Sequence, residues 1–200
     1  MKVKYWVFAI LIGILSLSSC SENISHKGDS LFGQEKYQEA IDEYNKVLKN
    51  NPKYLKGLYN RGRAYEELGQ FKKAEEDFLA AFAIDNKNTQ VMMSLSNIYQ
   101  KQKNHNSALL FADYAVQVVG APAMAFFLKG RALHQIGNTG EAMIEYSTAI
   151  KMDKDFGQAY YYRGMLKFAT DKKKQGCEDI KISLKLNYKD AQAASDKYCK

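Results

Sequence analysis

Residues 58–78, Leu-Tyr-Asn-Arg-Gly-Arg-Ala-Tyr-Glu-Glu-Leu-Gly-Gln-Phe-Lys-Lys-Ala-Glu-Glu-Asp-Phe, decide the fold. Leu58, Gly62 and Tyr65 follow one another at spacings of four and three, which puts them on one face at 3.6 residues per turn. Gly69 interrupts the pattern; Phe71, Ala74 and Phe78 then resume it at three and four. The stretch therefore predicts two antiparallel helices joined by a turn at Gly69. Gly62 and Ala74 sit where the helices cross, because small residues there allow axes about 8–10 Å apart.

The same arrangement recurs along the chain. Ala40, Ala74, Ala108, Ala142 and Gly176 stand at a constant spacing of 34, and Gly28, Gly62, Ser96, Gly130 and Gly164 lie twelve residues before them. Larger residues form parallel columns: Ile24, Leu58, Met92, Phe126 and Tyr160; Leu31, Tyr65, Tyr99 and Leu133; and Tyr44, Phe78, Ala112, Tyr146 and Ile180. Lys167 breaks the second column. Lys27 stands where a large apolar residue is expected, which predicts a loosely packed first helix. Asn50-Asn51-Pro52, Asp85-Asn86, Gly120 through Pro122 and Asp153 to Asp155 end successive repeats, and Gly137-Asn138 supplies another internal turn. A period of this length is the mark of a stacked helical array, in which each unit buries its apolar face only against neighbours.

Tyr37 through Pro52 and Leu58 through Phe78 resemble the tetratricopeptide repeat, and as a set the columns over 24–190 resemble five such units. The resemblance implies an all-α, right-handed solenoid with residues 191–200 as a C-terminal capping helix. It also implies that each unit's first helix lines a concave groove. The lining would be Tyr59, Arg63 and Glu66, then Met93, Asn97 and Gln100, then Phe127, Arg131 and His134, then Tyr161, Met165 and Phe168. Aromatic residues and Arg are enriched at binding hot spots, so the lining reads as a site for a peptide or protein partner, with Arg63 and Arg131 on its carboxylates. The Lys/Asn/Lys/Arg clamp of the chaperone-binding class is absent, since Tyr59, Arg63, Ser94, Met124 and Leu128 occupy its places.

The N-terminus carries a different message. Lys2 and Lys4 precede an apolar run from Tyr5 to Leu17, too short for the roughly 20 residues of a membrane span and of the form of a signal peptide. Leu17-Ser18-Ser19-Cys20 resembles a bacterial lipobox, which implies cleavage after residue 19, diacylglycerol and an acyl chain on Cys20, and a short tether over 20–23. Ser21, in place of Asp, resembles the signal for outer-membrane sorting, which places the protein in the bacterial cell envelope. Export makes a disulfide between the remaining Cys177 and Cys199 possible. The helices bearing them should run antiparallel, bringing the start of one beside the end of the other; two separately buried thiols are the alternative.

Catalysis finds no support. His26, His105 and His134 are isolated, no Gly-rich loop or metal-ligand spacing is present, and Glu66-Glu67 and Glu75-Glu76 diverge around their helices. The net charge of +7 is scattered apart from Lys172 to Lys174, with no basic stripe interleaved with aromatics, which argues against nucleic acid. The expectation is a membrane-tethered interaction module without catalytic residues, cofactor or metal, or alternatively a fixed subunit of an envelope assembly, pilus or secretion complex.

Overall fold

The computed structural model describes residues 26–200. The expected signal segment 1–19, Cys20, the expected tether 20–23 and Ile24 lie outside the described residues. Among those described, the chain is all-helical and separates into two compact units, one ending at Asn86 and the other spanning Lys87–Lys200. The first contains α1 (described over 26–33), α2 (Tyr37–Asn50), α3 (Leu55–Glu67) and α4 (Phe71–Ile84). The second contains α5 (Thr89–Lys101), α6 (His105–Gln117), α7 (Ala123–Gln135), α8 (Thr139–Met152), α9 (Gly157–Ala169), α10 (Lys173–Lys185) and α11 (Ala191–Tyr198).

The predicted columns are the core. Every small residue from Gly28 to Gly164 and from Ala40 to Gly176 is buried, as are Tyr44, Phe78, Ala112, Tyr146 and Ile180. Sizes are matched across each crossing. A Cβ at Gly62 would lie 2.7 Å from Phe78 Cε1, and one at Gly130 would lie 2.8 Å from Tyr146 Cδ1. Repeat three faces the small Ala112 instead, so Ser96 fits there and its hydroxyl donates to Ala108 O at 2.9 Å.

Lys27 belongs to a further column, not to the apolar one. Lys27, Arg61, Lys129 and Arg163 share a register and pair with Glu43, Asp77, Glu145 and Asp179, which share another. Repeat three replaces the pair with buried Leu95 and Phe111. The expectation of a loose first helix is therefore corrected. Lys27 Nζ donates to Glu43 Oε1 at 2.7 Å. Asp29 accepts from Tyr44 Oη at 2.9 Å and Asn60 Nδ2 at 2.7 Å, and pairs with Lys56 at 2.8 Å. Burial alone would raise the Asp29 carboxyl, but the Lys56, Tyr44 and Asn60 hydrogen bonds hold it below its usual range. Lys167 likewise has a reason to break its column, since its ammonium lies 2.8 Å from Asp179 Oδ2.

The internal turns carry a periodic strain that residue type alone conceals. Glu35, Gly69, Lys103, Gly137 and Asp171, spaced by 34, all take positive φ, between 56° and 86°. Left-handed backbone costs a non-glycine residue about 1–2 kcal/mol, partly offset by the lower chain entropy of its unfolded state. The exposed Lys103 side chain makes no hydrogen bond or ion pair with another described residue. Lys103→Gly should therefore stabilise the chain by about 0.5–1 kcal/mol, read as a raised urea midpoint; a lowered midpoint would contradict this origin of the strain.

α11 begins 34 residues after α9, in the register of a further first helix, and packs on α9 and α10. A disulfide joins Cys177 to Cys199, with Cα atoms 5.5 Å apart. Closing a loop with a separation of 22 residues, such a bond stabilises by about 3 kcal/mol through chain entropy. Tyr198, beside it, stacks on Phe168 with ring centroids 4.7 Å apart.

Candidate functional site

Within the second unit the first helices of successive repeats touch directly, α5 on α7, α7 on α9 and α9 on α11. Met93 and Asn97 on α5, Arg131 and His134 on α7, and Tyr161, Met165 and Phe168 on α9 occupy equivalent registers and are all partly exposed. Two of the expected lining residues are not surface. Phe127 is 1% exposed, its ring held among Tyr146, Phe156 and Tyr162 at centroid distances of 5.9, 5.0 and 5.4 Å. A ring offered three aromatic neighbours gains more from burial than from exposure. Gln100 is also buried, with Oε1 3.0 Å from His105 Nδ1 and Nε2 without a partner among the described residues.

Phe127 nevertheless supports the site from below. The Arg131 guanidinium lies over the rings of Phe127 and Tyr162, 5.9 and 5.4 Å from their centroids. This arrangement places a long cationic side chain against two aromatic rings with no hydrogen bond to another described residue. His134 Nδ1 lies 3.5 Å from Tyr146 Oη, and burial pushes the imidazole below its ordinary pKa. Tyr161 packs against Tyr162 and Tyr188, at 5.4 and 5.1 Å. Sequence reasoning missed Tyr162, Tyr188 and Tyr198. Tyr162 shares a register with Ser94 and Leu128 and shows no periodic signal, while Tyr188 and Tyr198 lie in the less regular C-terminal segment.

In the first unit Tyr59 is half-buried against Phe78, with centroids 5.8 Å apart. Arg63 is exposed and lies 4.6 Å over Phe32 and 6.0 Å over Tyr59. Both arginines thus stand on aromatic faces, each within its own unit. Among the described residues no three His, Cys, Asp or Glu side chains gather as a metal site.

Residues 27–89 and 124–156 match models of the tetratricopeptide repeat, so the chain carries these repeats. Its fold class is the all-α tetratricopeptide type found in solved structures. PilW, described as a widely conserved type IV pilus biogenesis factor, matches with a TM-score of 0.77 and 17% identity over 84% of this chain and 77% of its own. YrrB, described as a tetratricopeptide protein with an unusual peptide-binding site, matches at 0.69 and 19% over 86% and 90%. At such identities the likeness is one of fold. Mouse DnaJ homolog subfamily C member 7 is 22% identical over 171 residues, 78% of this chain and 35% of that protein. The chain spans about a third or less of the curated relatives it matches first.

Proposed function

We propose that the protein is a membrane-anchored interaction module that holds a peptide or protein partner on its first-helix faces. The observation that carries this reading is the cluster of Met93, Arg131, Tyr161 and Met165, partly exposed on adjacent helices with the arginine set against aromatic rings. Tyr161 and the two methionines offer apolar anchoring, and Arg131 offers a bidentate contact. The peptide-binding description of YrrB agrees with it. The anchor is the lipid expected on Cys20, and the outer membrane is its expected site.

A second reading, a fixed subunit of an envelope complex, draws on the likeness to PilW and on the outer surface of the second unit. There Leu110, Ile144 and Ile182 are exposed on α6, α8 and α10. In-cell photocrosslinking separates the two. Crosslinkers at Met93 or Met165 should attach a discrete partner, and Cys20→Ser should release the protein from membranes and lower that yield. Attachment only from Ile144 would reject the groove and favour the fixed subunit.

A further inference from the structure

We infer that the first-helix face of the second unit selects an acidic extended polypeptide, whose carboxylate Arg131 receives and whose apolar side chains rest on Met93, Tyr161 and Met165. This rests on the groove reading above and adds the chemistry of the ligand.

The sequence of the lining helices carries the argument. α5, α7 and α9 contain no Asp or Glu, whereas the second helices that pack behind them carry Asp113, Glu141, Glu145, Glu178 and Asp179. Those acids are partly spent inside the repeats. Lys129 pairs with Asp113 at 3.1 Å and Glu145 at 3.0 Å. Arg163 and Lys167 both pair with Asp179 at 2.8 Å. Arg131 differs from all three: its contacts are the ring faces of Phe127 and Tyr162, and no carboxylate among the described residues reaches it.

A guanidinium has five N–H donors and cannot be neutralised by losing its proton. Its contacts with described residues are to aromatic rings and include no hydrogen bond, so donors remain for a bidentate carboxylate. With no acid on the lining helices, a ligand carboxylate meets attraction without a neighbouring repulsion, and a cationic ligand finds no counter-charge on them. The carboxylate can come from a side chain or from a chain end.

Three fluorescein-labelled, C-terminally amidated twelve-residue peptides test this on the full chain, each with the same Leu and Tyr content and four Glu, four Gln or four Lys. A fourth repeats the Gln peptide with a free C-terminus. Fluorescence anisotropy should show the Glu peptide binding at least ten-fold more tightly than the amidated Gln peptide, with the difference shrinking as salt rises. Arg131→Met, which keeps an apolar stem on the rings, should remove that difference, so that on this variant the Glu and amidated Gln peptides bind alike. A gain from the free C-terminus as well would extend the site to chain ends. Equal binding of the Glu and amidated Gln peptides, both weakened by Tyr161→Ala, would overturn the acidic preference and leave the groove standing. Glu-peptide binding indifferent to both substitutions would place the ligand elsewhere and overturn the groove too. Failure of every peptide to bind, with the thermal melt unchanged, would also overturn the inference.

Discussion

Asp179→Ala is expected to cost about 3–5 kcal/mol, the range for removing one partner of a buried ionic cluster. Asp179 is 3% exposed and holds two cations: Arg163 Nε and Nη2 donate to Oδ2 and Oδ1 at 2.9 and 2.8 Å, and Lys167 Nζ lies 2.8 Å from Oδ2. The two basic side chains are only 17% and 15% exposed. Without the carboxylate they keep most of their desolvation and lose their compensation; Arg163 retains one hydrogen bond, to Ser147 Oγ at 3.2 Å, and its place over the Tyr160 ring. Urea unfolding with hydrogen exchange should show the loss concentrated in α9 and α10, because an array transmits destabilisation mainly to neighbours. Repeat three supplies the control. There Leu95 and Phe111 hold the registers of Arg163 and Asp179, and Tyr99 holds that of Lys167. The triple variant Arg163→Leu, Lys167→Tyr, Asp179→Phe should therefore recover most of the loss, since apolar residues of suitable shape replace buried ion pairs at little cost. A cost below about 1 kcal/mol for Asp179→Ala, typical of an exposed pair, would show that the cluster is solvated.

The same columns mark how far the sequence could be read. Small and aromatic residues at crossings were legible because their sizes are dictated by the approach of two helices, which recurs every 34 residues whatever the partner. The ion-pair column has the same period, yet Lys27 read as a defect and Lys167 as a break. Charge is interpretable only with its partner, and Glu43 and Asp179 lie 16 and 12 residues away on another helix. The turn strain was half visible: Gly69 and Gly137 announce left-handed backbone, whereas Glu35, Lys103 and Asp171 adopt it because their neighbours require it. In the candidate site, register placed Met93, Asn97, Arg131, His134, Tyr161, Met165 and Phe168 on one set of partly exposed positions. It failed at Phe127 and Gln100, because whether a position on a helix face ends buried depends on the side chains of adjacent helices. Tyr146, Phe156 and Tyr162 close over Phe127, and period alone carries no information about that closure.

Size matching across the crossings leads to the second large expected effect, at Gly130 and Tyr146. Tyr146→Ala should cost about 3–5 kcal/mol, as for other large aromatic side chains removed from a packed core. Its ring is fully buried and contacts Phe127 and Tyr162. Gly130→Ser should cost about 1–3 kcal/mol by overpacking, because the new Cβ would lie 2.8 Å from Tyr146 Cδ1 and Cε1. The ring cannot yield, being wedged among its aromatic neighbours. The two losses should not add. Repeat three already pairs Ser96 with Ala112, and Ser96 spans the crossing to Ala108 O. At the equivalent place Ala142 O lies 3.3 Å from a Cβ on Gly130, within reach of an introduced hydroxyl. The double variant should therefore fall short of the summed losses by about 0.5–3 kcal/mol, the range for residues in direct contact. Strict additivity in a urea double-mutant cycle would sink the claim that each crossing is one matched pair. It would instead mean that the glycine is required by the backbone, whatever stands opposite. The helical, negative φ of Gly130, against the positive φ of Gly137 seven residues on, argues for the pair.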